Sequence, residues 1–193
     1  MTSLNRIELF LNIDLTNTRL RDGLKKKNKN QYYWFQNLYL IVKLSQDKWC
    51  VVGCNERTFD LLNDNVFCYD CKGYMYNSTN GYFHVLLMSP PHGLVVDHIN
   101  IRPWDNRIDN LRIVTRKINN QNKSISSANT TGVTGVRKAN IGNREYYETS
   151  IVDNNDITHK KYFSITKLGD IEAKRLACNQ RVVWKVQYNY LGI

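Results

Sequence analysis

Short runs in which apolar side chains alternate with polar ones recur along the chain, each closed by Gly, Pro, Asn or Asp, while stretches with helical spacing are fewer. Residues 39–44 and 49–52 are β-rich runs separated by Ser45-Gln46-Asp47-Lys48, which predicts a hairpin, and residues 56–62 predict a short helix. Gly73-Tyr74-Met75-Tyr76 and Tyr82-Phe83-His84-Val85-Leu86 predict a second hairpin across Asn80-Gly81. Pro90, Pro91 and Gly93 then break the chain, residues 94–98 form a short strand, and a loop with Pro103 leads to a strand over 111–114. Thr115 is placed to cap a helix through Asn122, because its hydroxyl can accept from amides two and three residues on. Residues 123–131, rich in Ser, Asn, Ala and Thr, read as a linker. Beyond it, three β-rich runs (133–137, 146–152 and 161–165) are joined by turns at Ile141-Gly142-Asn143 and Asp153-Asn154-Asn155-Asp156. A helix over about 170–188 follows, with Ile171, Leu176, Val183 and Val186 among its apolar positions. The pattern predicts an α+β molecule in three parts: an N-terminal α+β extension (1–78), a strand, loop, strand and helix core (79–125), and a three-stranded sheet packed on one helix (126–193).

Composition narrows the class. With 193 residues and 42% hydrophobic content the chain can bury a core. No apolar run approaches the roughly 18 residues of a membrane span, and the start lacks a basic region followed by an apolar stretch, so neither a membrane partner nor a secretory signal is expected. An intracellular, reducing compartment, the cytoplasm or nucleus of a host cell, follows as the expectation, and disulfides are not expected there. The net charge of +10 is spread evenly: 11 basic and 8 acidic side chains in 1–78, 6 and 3 in 79–125, 10 and 6 in 126–193. Such a distribution favours contacts along an extended polyanion over a single basic tail. Only Lys25-Lys26-Lys27-Asn28-Lys29 is a true basic run, and a solvated loop explains it as well as a phosphate clamp does.

The chemistry concentrates in Val96-Asp97-His98-Ile99-Asn100, Asp105-Asn106-Arg107-Ile108-Asp109-Asn110-Leu111-Arg112 and Asn119. Hydrolysis of a phosphodiester needs a base to take a proton from water and a cation to absorb charge on the leaving oxygen. Asp97 can give a hard oxygen to a divalent ion, Asn119 can offer its amide oxygen to the same ion, and His98, on the opposite face of the strand, can work as the base near neutral pH. Oxygen ligands suit Mg²⁺ or Mn²⁺ better than zinc. An Asp-His pair alone is weak; the joint spacing with Pro-x-Gly before it and Asn-x-x-Asn after it gives the motif its weight.

On those residues the segment from Tyr82 to Asn122 resembles the HNH homing endonucleases, the ββα-metal nucleases of phages, mobile introns and large DNA viruses. The resemblance implies Asp97 and Asn119 as metal ligands, His98 as general base, and Asn110 as the asparagine that braces the loop behind the base, with Asn106 beside it in the motif. His84 matches the histidine that opens the family's His-Arg-Leu segment, although Val85 stands where arginine is usual. Likewise Gly132-Val133-Thr134-Gly135-Val136-Arg137, Tyr147-x-Thr149-x-Ile151, Lys161-Tyr162-Phe163-Ser164-Ile165 and the segment from Gly169 to Ala177 resemble the APETALA-type, ethylene-response-factor-like DNA-binding domain, a family often fused to HNH nucleases. A twisted three-stranded sheet can enter a major groove, and Arg137, Lys138, Arg144, Lys160 and Lys161 lie on or beside its strands. The plainer reading of these five is the polar face that any half-buried sheet needs.

Cys50-x3-Cys54 and Cys68-x2-Cys71 place four thiols at spacing compatible with a structural Zn²⁺, whereas Cys50 also fits a buried small apolar residue in a strand. Cys178 on the last helix reads as core. The expectation from these readings is a sequence-directed, metal-dependent endonuclease on double-stranded DNA, a nickase or double-strand cutter, with a monomer favoured. Its rival is a non-cleaving DNA-binding regulator with a degenerate nuclease core, although binding alone would not require the set Asp97, His98, Asn110 and Asn119. An RNA target ranks lower, since the cluster Tyr32-Tyr33-Trp34-Phe35 reads as core packing before base stacking.

Overall fold

The computed structural model describes residues 2–15, 18–21 and 30–190, so the basic run at residues 25–29 lies outside the described residues. Two compact units divide the chain, Met1–Asn119 and Asn120–Ile193. In the first, helix α1 (Ser3–Leu11) precedes strands β1 (Leu20–Arg21), β2 (Tyr32–Phe35), β3 (Tyr39–Lys43) and β4 (Trp49–Gly53), helix α2 (Glu56–Asp64), strands β5 (Cys68–Tyr69), β6 (Met75–Asn77) and β7 (Gly81–Tyr82), and helix α3 (Phe83–Met88). Strands β8 (Leu94–His98), β9 (Asp105–Asn106) and β10 (Leu111–Thr115) follow, and then helix α4 (Arg116–Gln121), within which the boundary between the units falls.

A sheet in the order β1-β2-β3-β4-β9 organises the first unit. Strands β3 and β4 sit at its centre with both faces covered, and their alternate side chains feed two cores. Leu40, Val42, Cys50 and Val52 join Phe67, Met75, Phe83, Leu87, Val96 and Leu111 on one side, while Ile41, Trp49 and Val51 join Ile7 of α1 and Leu15 on the other. Four of the strands run antiparallel in succession, but β9 joins β4 in parallel, pairing Asp105 with Val51 and Asn106 with Val52. Two residues from the 79–125 segment thus complete the sheet of the N-terminal segment, and the two segments share one folded unit.

One expected element is different. Residues 82–86 were predicted as the return strand of a hairpin, but only Gly81 and Tyr82 pair with β6, and the chain turns helical at Phe83. Phe83 and Leu87, one turn apart, bury together on one face with His84 beside them; a five-residue apolar run satisfies either period, and burial of this face selects the helix.

The second unit is an antiparallel sheet β11 (Val136–Ile141), β12 (Arg144–Val152) and β13 (Thr158–Ser164), followed by the single turn α5 (Ile165–Leu168) and the long helix α6 (Asp170–Gln187). Its core joins Val136 and Tyr147 to Ala173 and Ala177. The expected apolar positions Ile171, Val183 and Val186 are instead exposed, at 85%, 57% and 79%, because small residues let α6 lie close to the sheet on the face of Ala173, Ala177 and Arg181. Nor does the expected linker run as far as Thr131: the Asn129 amide donates to the Val133 carbonyl at 3.0 Å, and the buried Thr131 hydroxyl donates to that of Val136 at 2.9 Å, so both belong to the sheet unit. Close packing is most severe at Gly135, where φ is +81° and an added Cβ would lie 2.7 Å from the Ser150 carbonyl oxygen and 2.8 Å from the Arg181 guanidinium. Gly135→Ala is expected to destabilise this unit by about 2 kcal/mol or more, read as faster hydrogen exchange of the β11 and β12 amides. Among the described residues, no helix is long and apolar enough to cross a membrane.

Candidate active site

Strands β8 and β10 form an antiparallel hairpin that pairs His98 with Leu111 and Asp97 with Arg112. Strand alternation sends the two neighbouring side chains to opposite faces, and both are nearly sealed, Asp97 at 4% and His98 at 6% exposure. Across the hairpin, Arg112 donates through Nε and Nη2 to Oδ2 of Asp97, each at 2.8 Å. This cross-strand ion pair fixes the carboxylate in one orientation.

His98 is held by the sheet below it. Its Nε2 lies 3.2 Å from Oδ1 of Asn106, which is fully buried on the parallel strand β9. The contact holds the imidazole ring by its Nε2, and the tautomer sets which of the two atoms donates. The rings of His84 and Tyr74 stand 4.8 Å and 5.7 Å from that of His98. Burial among them pushes the His98 imidazole below its ordinary value, against the opposing pull of Asn106, Asp105 and Asp97, and so favours the neutral, proton-accepting form.

The loop between β8 and β9 is braced by Asn110. Its Oδ1 accepts from the Asn100 amide at 3.0 Å, and its Nδ2 donates to Oδ1 of Asn100 at 3.0 Å and to the Asp105 carbonyl at 2.8 Å. The Asn110 carbonyl accepts from the Ile99 amide at 2.9 Å. Asp105, completely buried, is paired with Arg107 at 2.8 Å and also accepts from the Asn100 side chain at 2.7 Å. Sequence reasoning assigned no role to Asp105, Arg112 or Asn100; the spacing Asp-x-Arg at 105–107 was the available signal for the first. Asn119, half-buried, is the fourth residue of α4, whose first turn is capped by the Thr115 hydroxyl accepting from the Ile118 amide at 3.3 Å.

Asp97 and Asn119 carry oxygen donors of the kind that a hard divalent cation such as Mg²⁺ takes together with waters and substrate phosphates. The four cysteines do not fit zinc. No group of three or more His, Cys, Asp or Glu among the described residues is arranged to hold a metal ion. Cys50 is wholly buried in the centre of the sheet with its thiol driven up by burial, while Cys68 and Cys71 are exposed, so the four do not share one environment.

In the second unit, the five basic residues split between faces. Arg137 and Lys160 flank the buried Glu148, at 2.9 Å and 3.6 Å, and strand alternation along β12 puts Arg144 on the same face as Glu148 and the Tyr146 ring. Lys138 and Lys161 do not join them: each faces α6, Lys138 on Asp170 at 2.6 Å and Lys161 on Gln180 at 2.8 Å.

Residues 89–121 match the family model described as HNH endonuclease, a stretch that contains Asp97, His98, Asn106, Asn110 and Asn119. No curated protein and no solved structure matches the chain. The family match supports an endonuclease-type, hydrolytic function with DNA as the implied substrate. It covers neither the N-terminal segment nor the sheet unit that follows.

Proposed function

We propose that the protein is a sequence-directed DNA endonuclease of the homing type, with one divalent metal and His98 as general base. The observation that carries the reading is the hydrogen bond between His98 Nε2 and the buried Asn106, which holds the imidazole in place one residue along the strand from the fixed carboxylate of Asp97, all within the matched stretch. The neutral imidazole of His98 takes a proton from a water whose oxygen forms the new bond to phosphorus as the bond to the leaving 3′ oxygen breaks. Asp97 and Asn119 would hold Mg²⁺ or Mn²⁺, which when bound supplies positive charge for the departing oxygen. Arg112 keeps the carboxylate turned, and Asn110 keeps the loop behind the base from moving.

The sheet unit is read as the DNA-holding, APETALA-like module, with Arg137, Arg144 and Lys160 offered to phosphates or base edges from the face away from α6. The three-part division into extension (1–78), nuclease core (79–125) and DNA-holding module (126–193) then describes roles along the chain, with the first two sharing one folded unit. The test is supercoiled plasmid carrying a candidate target site, incubated with the protein and Mg²⁺ or with chelator. Metal-dependent nicking or linearisation supports the reading; retention of DNA without cleavage under every divalent metal would move it to the binding-protein alternative.

Asn106 is a positioning residue in this scheme. Asn106→Ala is expected to lower the cleavage rate roughly 10–100-fold, the usual cost of losing the group that holds a functional imidazole by its second nitrogen. Duplex affinity and the hydrogen exchange of the β3 and β4 amides should stay unchanged, which separates lost orientation of His98 from unfolding of the unit that holds it.

A further inference from the structure

Beside the loop that leaves His98, α1 and the residues before β9 enclose an open cavity of about 420 Å³ lined by Arg6, Leu9, Phe10, Arg102 and Trp104. Its volume falls within the roughly 300–1,000 Å³ of small-ligand sites. Phe10 meets Trp104 edge to face with ring centroids 5.1 Å apart, and the Arg102 guanidinium lies over both rings, 4.2 Å from the first and 5.7 Å from the second. Arg107 also reaches Phe10, at 5.3 Å, but its charge is committed to Asp105. Arg6 and Arg102 differ: both are exposed, and neither forms an ion pair with a carboxylate among the described residues. The cavity wall is tied to the proposed base by backbone, since Ile101 donates to the His98 carbonyl at 2.9 Å and Asp105 to that of Arg102 at 3.0 Å.

Two guanidinium groups with no carboxylate partner among the described residues, one of them already over a pair of aromatic rings, are what a nucleotide needs, because the phosphate takes the forked donors and the base packs against rings and guanidinium planes. We infer that this cavity is a subsite for one unstacked nucleotide of the bound DNA strand, with its phosphate on Arg6 and Arg102 and its base against Phe10 and Trp104. A duplex base cannot present its face to such a pocket, so the subsite takes DNA that is locally opened. The inference rests on the endonuclease reading for the identity of the strand, and it assigns α1 a substrate contact.

The experiment measures binding of two fluorescent chains of about eight units, within the range of single-strand site sizes, to the full-length His98→Ala protein: oligothymidylate and an abasic deoxyribose-phosphate chain of equal charge. Oligothymidylate is expected to bind more tightly, and Phe10→Leu should cost it roughly ten-fold, the loss of one base–aromatic stack, while leaving the abasic chain unaffected. Arg102→Ala and Arg6→Ala should weaken both chains and each lower the salt dependence by about 0.7 of a logarithmic unit per decade. The two arginines are exposed, so their variants keep the test decisive should Phe10→Leu loosen α1. Equal binding of the two chains, or arginine variants that bind as the parent does, would overturn the subsite. Plasmid nicking by the unmodified protein reads the other proposal separately: nicking without base-dependent binding removes the subsite alone, and base-dependent binding without nicking removes the nuclease assignment and leaves the subsite standing.

Discussion

His98→Ala is expected to abolish metal-dependent nicking of a target plasmid while retention of the same duplex on a gel is unchanged. A positioned general base contributes on the order of 10²–10⁴ in rate, so a nicking assay with picomole sensitivity should show essentially intact supercoiled DNA over the period in which the parent protein converts all of it. The surroundings of His98 support this expectation. Its ring is held at Nε2 by Asn106, burial favours its neutral form, and the carboxylate of its neighbour Asp97 is held in orientation by the Arg112 guanidinium. Asp97→Asn should give the same loss through a different step, by removing the one charged donor of the proposed metal site, and raised Mn²⁺ should restore more of it than raised Mg²⁺. Cleavage at the full parental rate in His98→Ala would show that another group takes the proton.

The second large effect concerns acid stability, and it arises at His84. This residue is buried among the rings of Tyr74, Tyr82 and His98, with Nδ1 lacking a hydrogen-bond partner among the described residues, and burial foremost, then the neighbouring His98, pushes its imidazole down to about 3. The unfolded chain binds a proton near the ordinary value of 6.5, whereas the folded chain does not until about 3. Between those values the unfolded state holds more protons, so the contribution is fully present above 6.5 and is lost as pH falls toward 3. From pH 6.5 to 5 the first unit should lose about 2 kcal/mol from this group, read from hydrogen exchange of the β3 and β4 amides in its central sheet. His84→Phe keeps a flat ring and has nothing to protonate, so most of that slope should vanish; an unchanged slope in the variant would place the acid sensitivity elsewhere.

The parts of the molecule that could be read from the sequence are those whose information is local. The β8 and β10 strands, the capped turn of α4 at Thr115 and the three strands of the second unit announce themselves through period-two alternation and turn residues within about ten positions. The candidate residues Asp97, His98, Asn106, Asn110 and Asn119 were legible for the same reason, because their spacing is contained in one short stretch. What could not be read depends on partners far along the chain. Strand β9 is two residues long, carries no apolar pattern, and exists only because β4, more than fifty positions earlier, offers it an edge. Helix α3 and the buried face of α6 were misread because packing, not periodicity, decides them: Phe83 and Leu87 choose the helix, and Ala173 and Ala177 take the face that larger Ile171 and Val183 would be expected to fill. The same local reading made four cysteines resemble a ligand set that the fold does not assemble among the described residues.

The parallel pairing of Asn106 with Val52 has a further consequence for how such a protein could be taken apart or recombined. A fragment beginning at residue 79 would contain the whole sequence signature and still lack the strand against which that asparagine is seated. The signature marks where the chemistry is encoded, but the portable cassette is larger and begins at least with β3 and β4. Any chimera that moves the motif to a new DNA-binding partner must carry this sheet with it.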